Sequence, residues 1–263
     1  MKKTVCVWVI AMGLAGAILP ASAATKVFLL AGQSNMDGVG RGAELVGPLA
    51  KYSGQQPGVK IWDHASRKWV TLSSSMNGNI GFGPEVSFGY KMHAAFPHDS
   101  IYLYKYALAS TNLYFEWNPN GAGTSFPCYD TFKSGGLAAV QALKDAKRSP
   151  IIAGMLWMQG EGDASNPYWA AAYQKNLIDF IAHVRRDFNT PDMPFVIARI
   201  IKSYGTPENN ALVRAAEVTV PTLVPHTTWV NTDDLQLSQA VPLHYGTQGQ
   251  IDLGNRFAIK ILK

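Results

Sequence analysis

Cysteine is nearly absent from this chain of 263 residues, in which only Cys6 and Cys128 occur. We expect Cys6 to be removed with an N-terminal leader, which leaves Cys128 without a partner for an internal disulfide. No metal-ligand spacing surrounds Cys128, and no paired histidine or basic neighbour activates it as a catalytic thiol. We therefore interpret Cys128 as a small, buried apolar residue.

Charge is also scarce, because charged residues make up 16% of the chain and no basic cluster occurs. The formal net charge is +5, and it becomes two units lower once Lys2 and Lys3 leave with the leader. Nucleic-acid binding needs a concentrated basic face. The sequence therefore gives no support to a nucleic-acid partner.

Long apolar runs are limited to one, over residues 5–19. Lys2 and Lys3 precede this run and Ala21-Ser22-Ala23 follows it, which is the arrangement of a bacterial-type signal peptide with an A-x-A cleavage site. We predict a signal peptide over residues 1–23, a single domain over residues 24–263, and a secreted or periplasmic protein. Since no second long apolar run exists, we expect no stable membrane insertion.

Apolar runs rich in β-forming residues alternate with segments of helical spacing, which predicts a parallel sheet covered on both faces. The five predicted strands are residues 26–31, 101–107, 152–158, 194–200 and 227–231, and the predicted helices are 84–95, 134–147, 168–188, 209–218 and 247–262. Residues 37–76 and 111–132 do not fit this alternation. We predict that they form long loops that shape a substrate cleft, and that aromatic residues in the second loop, Tyr114, Phe115, Trp117 and Tyr129, suit stacking on sugar rings.

Ser34 follows the first apolar run after the leader, within Gly32-Gln33-Ser34-Asn35-Met36. A strand that ends in Gly-x-Ser and turns into a helix places a hydroxyl at the carboxyl edge of the sheet, where ligands bind. Most serines at such positions only cap a helix, but one that a histidine reaches is a candidate nucleophile. His244 is the candidate base, because its loop follows the last strand and can face the same edge.

Two further segments offer groups that an acyl-transfer site needs. Gln159 follows the middle strand with an amide N–H for an oxyanion, and Glu161 and Asp163 offer carboxylates that could orient a histidine. The backbone N–H of Gly83, just before a helix start, could join Gln159 and the N–H of Ser34 in an oxyanion hole. Each segment alone is equally typical of a solvated loop or of a turn before a helix.

Taken in order, these segments resemble the SGNH-hydrolase superfamily, and most of all its sialate O-acetylesterase-like branch with the acetylxylan esterases of carbohydrate esterase family six. The matching blocks span nearly the whole chain after the leader: Gly32-Gln33-Ser34-Asn35-Met36, Gly83-Pro84-Glu85, Lys105-Tyr106-Ala107, Trp157-x-Gln159-Gly160-Glu161, Leu243-His244-Tyr245, and Leu253-Gly254-x-Arg256-x-Ala258.

The resemblance implies a flavodoxin-like three-layer α/β/α sandwich with a mainly parallel five-stranded sheet. It also implies an esterase that removes O-acetyl groups from carbohydrates without a metal or organic cofactor. Within it, Ser34 is the nucleophile, His244 the base, and Ser34 N–H, Gly83 and Gln159 the oxyanion hole.

One position departs from the pattern, since the family has an Asp three residues before the histidine and Val241 stands there. Glu161 is our preferred replacement as the orienting acid, with Asp234, Asp233 and Asp163 as alternatives. A Ser–His dyad, with His244 oriented by a backbone carbonyl, is the remaining alternative. Loss of a triad acid costs about 10⁴ in rate in a well-studied protease, so Val241 also leaves a weakly active or inactive enzyme as an alternative.

We therefore expect a secreted or periplasmic O-acetylesterase acting on acetylated xylan or a related glycan. The alternatives are a weakly active or non-catalytic carbohydrate-binding relative, a sialate O-acetylesterase, or an esterase for a lipid or aryl ester. The sequence leaves the oligomeric state open.

Overall fold

The computed structural model describes Met1 and residues 23–76, 81–121, 124 and 126–263. The predicted signal peptide and Cys6 fall almost wholly on residues 2–22, outside the described residues, so the leader stays a prediction. Among the helices of the described residues, none has the length and apolar character needed to cross a bilayer.

One sheet of seven strands forms the centre of the domain. Its strands are β1 (Thr25–Gly32), β2 (Gln55–Asp63), β3 (Lys68–Ser73), β4 (Ser100–Ala107), β5 (Pro150–Met158), β6 (Phe195–Ala198) and β7 (Thr227–Val230). They lie in the order β3-β2-β4-β1-β5-β6-β7, and only β3 runs antiparallel to its neighbour. The predicted α/β class with a mainly parallel sheet is confirmed.

Helices cover both faces of the sheet. They are α1 (Ser34–Asp37), α2 (Glu85–Ala95), α3 (Cys128–Asp145), α4 (Glu161–Ala164), α5 (Pro167–Asp187), α6 (Pro207–Leu223) and α7 (Thr247–Ile261), with 3-10 turns at Gly42–Glu44 and Gly47–Tyr52. On one face α2 packs against α7, and Phe28 of β1 meets Phe88 of α2. On the other face α5 packs against α6, and Trp157 of β5 meets Phe180 of α5.

The strand count corrects the sequence prediction of five strands to seven. The additional pair, β2 and β3, is a hairpin at the edge of the sheet within residues 37–76, which we had predicted to be a loop. Its alternating, half-exposed pattern and the register shift around Pro57 hide it from a search for continuous apolar runs. The two strands are held by packing between Trp62 and Trp69, whose ring centroids lie 5.3 Å apart.

The second predicted loop, residues 111–132, is also shorter than expected because α3 begins at Cys128. Trp117 and Tyr129, suggested for sugar stacking, are buried in the core instead, while Tyr114 and Phe115 remain partly exposed. Cys128 is fully buried, which confirms its interpretation as a small apolar residue.

Three neighbouring strands end at the same level, and this fixes where the site lies. Gly32, the last residue of β1, is level with Ala107 of β4 and with Met158 of β5. Gly32 has a φ of +152°, and a Cβ there would collide with the carbonyl of Met158. Glycine is therefore required for β1 to turn sharply into Ser34 beside β5.

Gly254 of α7 provides a test of helix packing, because a Cβ there would collide with the carbonyl of Pro84 and the hydroxyl of Ser87 at the start of α2. We expect Gly254→Ala to lower the free energy of unfolding by about 1–3 kcal/mol, since overpacking forces the two helices apart. Chemical denaturation measures this change. Ile259→Ala, at an exposed position of the same helix, is the control and should be nearly neutral; equal effects of the two variants would contradict the packing argument.

Candidate active site

The turn between β1 and α1 holds Ser34 at the carboxyl edge of the sheet. The Gln33 N–H donates to the Met158 carbonyl at 3.0 Å, and the Gln33 carbonyl accepts the N–H groups of Met36 and Asp37 at 2.8 Å each. Ser34 is the first residue of α1 and is half-buried. The nucleophile candidate therefore lies on a tight turn that is bonded to the neighbouring strand.

Asn35, the residue after Ser34, connects this turn to two other segments. Its Nδ2 donates to Glu161 Oε1 at 2.7 Å and to the Leu243 carbonyl at 3.4 Å, and its Oδ1 accepts the Tyr245 N–H at 3.0 Å. Leu243 and Tyr245 flank His244. One buried side chain thus ties the Ser34 turn, the start of α4 and the histidine loop together, and brings Ser34 and His244 to one edge.

His244 lies in a turn of its own between β7 and α7. Its N–H donates to the Val241 carbonyl at 2.9 Å, and its carbonyl accepts the Ser238 N–H at 2.7 Å. The ring is half-buried, and burial lowers the pKa of His244, so the neutral form predominates at pH 7. Within the described residues Nδ1 is buried with no hydrogen-bond partner, and no hydrogen bond joins the ring to the Ser34 hydroxyl.

Glu161 is buried at the first position of α4, and burial raises the pKa of its carboxyl group. Its Oε1 accepts from Asn35, while Oε2 has no partner among the described residues. The carboxylate therefore bonds to the residue that holds the histidine loop, not to the imidazole. Its role as the orienting acid stays a prediction.

Asp163, one of the alternative acids, holds the loop after β4. It accepts the N–H groups of Leu113 and Tyr114 at 2.8 and 3.1 Å and the Gln159 side-chain amide at 2.7 Å. Burial raises the pKa of Asp163 to about 7. These contacts are made with the loop and with Gln159 just after β5, and none of them involves His244.

The other two alternative acids are paired with arginines. The Asp233 carboxylate lies 2.6 Å from the Arg199 guanidinium and 2.7 Å from that of Arg214. Burial alone would raise the pKa of Asp233, but these two arginines lower it below its usual value. Asp234 forms a two-pronged pair with Arg256 at 2.7 Å, which lowers the pKa of Asp234 to about 2. Both carboxylates are thus engaged outside the histidine turn.

The three predicted oxyanion donors differ in their availability. The Ser34 N–H has no acceptor among the hydrogen bonds of the described residues. The Gly83 N–H donates to Glu85 Oε1 at 3.0 Å. The Gln159 side chain is fully buried and its amide already donates to Asp163, so Ser34 is the donor left free for a developing oxyanion.

Glu85 and Lys105 form a buried ion pair. Both residues belong to the sequence motifs that match the family, but the motifs alone predict no role for them. Lys105 Nζ donates to Glu85 Oε2 at 2.8 Å and to the Asp37 carbonyl at 2.7 Å. The pair thereby connects β4, the start of α2 and the last residue of α1. Asn35 was overlooked in the same way, and its position beside Ser34 in the first motif was the available signal.

A cleft of about 390 Å³ opens beside α1, lined by Asp37, Glu85 and Lys105 and covered by residues of β2 and β3. Asp37 comes three residues after Ser34, so the two side chains are neighbours on the short helix. Burial raises the pKa of Asp37. The cleft therefore reaches the last residue of α1 and the end of β4, while neither Ser34 nor His244 lines it.

A third buried acid, Glu217 of α6, lies behind α4. Its Oε2 accepts the Ile200 N–H at 2.9 Å, and Oε1 has no partner within the described residues. Burial raises the pKa of Glu217, and the charge of Glu161 raises it further. Together with Glu161 and Asp163, it forms a group of three buried acids behind the edge where Ser34 lies.

The family model for "carbohydrate esterase, sialic acid-specific acetylesterase" matches residues 24–263. The chain belongs to this family. As a member, it is a carboxylic ester hydrolase of the carbohydrate acetylesterase class, and the resemblance seen in its sequence motifs is confirmed. A search of curated proteins gives no match.

Solved structures share the fold of this esterase at low sequence identity. A protein from Arabidopsis thaliana is similar with a TM-score of 0.75 and 21% identity, covering 91% of this chain and 98% of that one. The NanS structure is similar with a TM-score of 0.68 and 14% identity, covering 92% of this chain and 98% of that one. A carbohydrate acetylesterase from Xanthomonas citri is similar with a TM-score of 0.64 and 18% identity, covering 89% of this chain and 55% of that longer one.

Asn35→Ala tests the connection between the Ser34 turn and the histidine loop. We expect the free energy of unfolding to fall by about 1–3 kcal/mol, because the buried Glu161 carboxylate loses its partner, as measured by chemical denaturation. Acetate release should fall as well. Asn255→Ala is the matched control, since its side chain makes a single 3.3 Å contact with Tyr52 near the surface. Wild-type stability and activity in Asn35→Ala would show that the connection is dispensable.

Proposed function

We propose that this esterase removes O-acetyl groups from acetylated xylan or a related glycan, with Ser34 as nucleophile and His244 as general base, after residues 1–23 direct its export to the periplasm or beyond. The observation that carries the proposal is the Asn35 side chain, bonded to both neighbours of His244 while Ser34 precedes it. Two sequence-distant reactive groups are thereby held at one edge by a buried connection.

The reaction proceeds through an acyl-enzyme. Ser34 Oγ attacks the acetyl carbon while the neutral imidazole of His244 takes its proton, and the Ser34 N–H donates to the developing oxyanion. Collapse breaks the ester C–O bond, and His244 returns the proton to the departing sugar hydroxyl. Water, deprotonated by His244, then attacks the acetyl-serine, acetate leaves, and Ser34 recovers its proton.

In this proposal no carboxylate orients the imidazole of His244, and backbone hydrogen bonds hold the turn that carries it. Val241 is 41% exposed and has no group to bond the imidazole, but its carbonyl accepts the His244 N–H. Asn35 fixes both flanking residues, and Glu161 fixes Asn35. Glu161 then serves as a positioning residue that acts through Asn35, within a Ser–His pair.

A carbohydrate-binding protein without turnover is the second candidate. Val241 in place of the acid, and the prior engagement of the Gly83 and Gln159 donors, favour it. Such a protein would bind acetylated glycan and release no acetate.

Substitution at Ser34 and Glu161 separates these possibilities. With acetylated xylan and an aryl acetate as substrates, we expect Ser34→Ala to lower kcat by about 10³-fold or more. Glu161→Gln keeps an oxygen that accepts from Asn35, so we expect a loss of about tenfold or less, whereas a direct triad acid would cost much more. If the unmutated protein releases acetate and Ser34→Ala does so equally well, Ser34 is not the nucleophile. If the unmutated protein binds acetylated xylan but releases no acetate, the second candidate is established.

The pH dependence of kcat/KM tests the base. His244 acts in its neutral form and its burial lowers its pKa, so activity should fall with acid around a midpoint below 6.5. The rate of aryl acetate hydrolysis between pH 4 and 8, with circular dichroism to confirm folding at each pH, measures that midpoint. A midpoint above 6.5 would indicate that a carboxylate partner stabilises the imidazolium, as in a complete triad.

A further inference from the structure

A group of aromatic side chains lies partly exposed on the β5 side of the edge. Tyr114 and Phe115 of the loop after β4 contact Trp169 of α5, with ring centroids 6.1 and 5.5 Å from it, and 4.8 Å from each other. Phe115 is 39% exposed, and Tyr168, which precedes Trp169 in the sequence of α5, is 77% exposed. We call Tyr114, Phe115, Tyr168 and Trp169 the aromatic patch.

Hydrogen bonds to the backbone hold both halves of the patch in place. Asp163 accepts the Tyr114 N–H at 3.1 Å, and Asn112 Oδ1 accepts the Phe115 N–H at 2.7 Å. On the helix side, Asn166 Oδ1 accepts the N–H of Tyr168 at 2.9 Å. A surface that is rigid before binding loses little conformational entropy when a ligand settles on it.

The patch is continuous with the catalytic edge. Asp163, which holds the loop, belongs to the same α4 turn as Glu161, and Gly162 of that turn packs directly on the Thr111 backbone. The Gly162 N–H donates to the Gln33 side chain at 3.1 Å, one residue before Ser34. The loop that carries Tyr114 and Phe115 is therefore joined through α4 to Gln33, the residue before Ser34.

The chemistry of the patch fits a neutral sugar unit. Its four side chains carry no charge at pH 7, and the polar groups around them include the amides of Asn118 and Asn166 and the carboxylate of Glu116, which is already bonded to the Asn112 N–H. A flat aromatic face packs against the C–H face of a sugar ring, and amides bond hydroxyls. Four partly exposed rings fall short of the roughly 800 Å² per partner that a stable protein complex buries.

We propose that the aromatic patch binds a sugar unit neighbouring the acetylated one, so that the enzyme acts on oligosaccharide or polysaccharide chains in preference to single sugars. This rests on the proposed function, because the acetylated unit must sit at Ser34. The bound glycan would then run from the Asp37 cleft, past Ser34, onto the aromatic patch.

Chain-length dependence tests the proposal. We would measure kcat and KM for acetylated xylohexaose, acetylated xylose and an aryl acetate with the unmutated protein, Phe115→Ala and Tyr168→Ala. For the unmutated protein we expect a lower KM for the hexasaccharide than for the monosaccharide. For each variant we compare kcat/KM for the hexasaccharide with kcat/KM for the aryl acetate, and we expect this ratio to fall about tenfold, mostly because KM for the hexasaccharide rises. Ile151→Ala, an exposed apolar truncation at the opposite edge of the sheet, is the matched control and should keep the ratio.

The outcomes separate this proposal from the function on which it rests. Hydrolysis with equal KM for the hexasaccharide and the monosaccharide, or an unchanged ratio in both patch variants, would overturn the patch and leave the esterase standing. Absence of hydrolysis of every substrate would refute the esterase. Calorimetric titration with xylohexaose would then decide the patch alone: weaker binding by Phe115→Ala than by Ile151→Ala supports it, and equal or absent binding refutes it.

Discussion

The arrangement of the active edge depends on the hydrogen bonds of one buried amide, that of Asn35. A single short side chain satisfies a carboxylate at the start of α4, a carbonyl before His244 and an N–H after it. Glu161 and Tyr245 are buried, so a carboxylate or an N–H group left there without a partner would be costly. The requirement to satisfy them therefore fixes the relative positions of three segments that are far apart in the sequence, and Ser34 and His244 lie on two of these segments.

One of the hydrogen-bond donors near Ser34, the Gly83 N–H, is likewise already bonded within the folded chain. Glu85 occupies the Gly83 N–H while its other oxygen meets Lys105, which in turn bonds the last residue of α1. Of the predicted oxyanion donors, the Ser34 N–H has no acceptor among the described residues, whereas the Gly83 N–H is bonded to Glu85.

The sequence predicted the parts of the fold that bury continuous apolar runs. The strands β1 and β4 to β7 were found because both of their faces are covered, and the edge where Ser34 and His244 lie followed from the parallel order. The hairpin of β2 and β3 escaped because one face is half-exposed and Pro57 interrupts its pattern. The partner of Glu161 could not be predicted either, since which group meets a carboxylate depends on side chains brought together only by the folded chain.

The three buried acids behind the edge carry a consequence for how the protein responds to acidity. Burial raises the pKa of Glu161, Asp163 and Glu217, so the folded chain retains protons that the unfolded chain releases as pH rises from about 4 toward 7. Their contribution to the stability of the folded state accordingly decreases across that range, whereas the neutral imidazole of His244 becomes more abundant. These three acids thus stabilise the folded chain more in mild acid than at neutral pH, whereas His244, whose pKa burial lowers, contributes in the opposite direction.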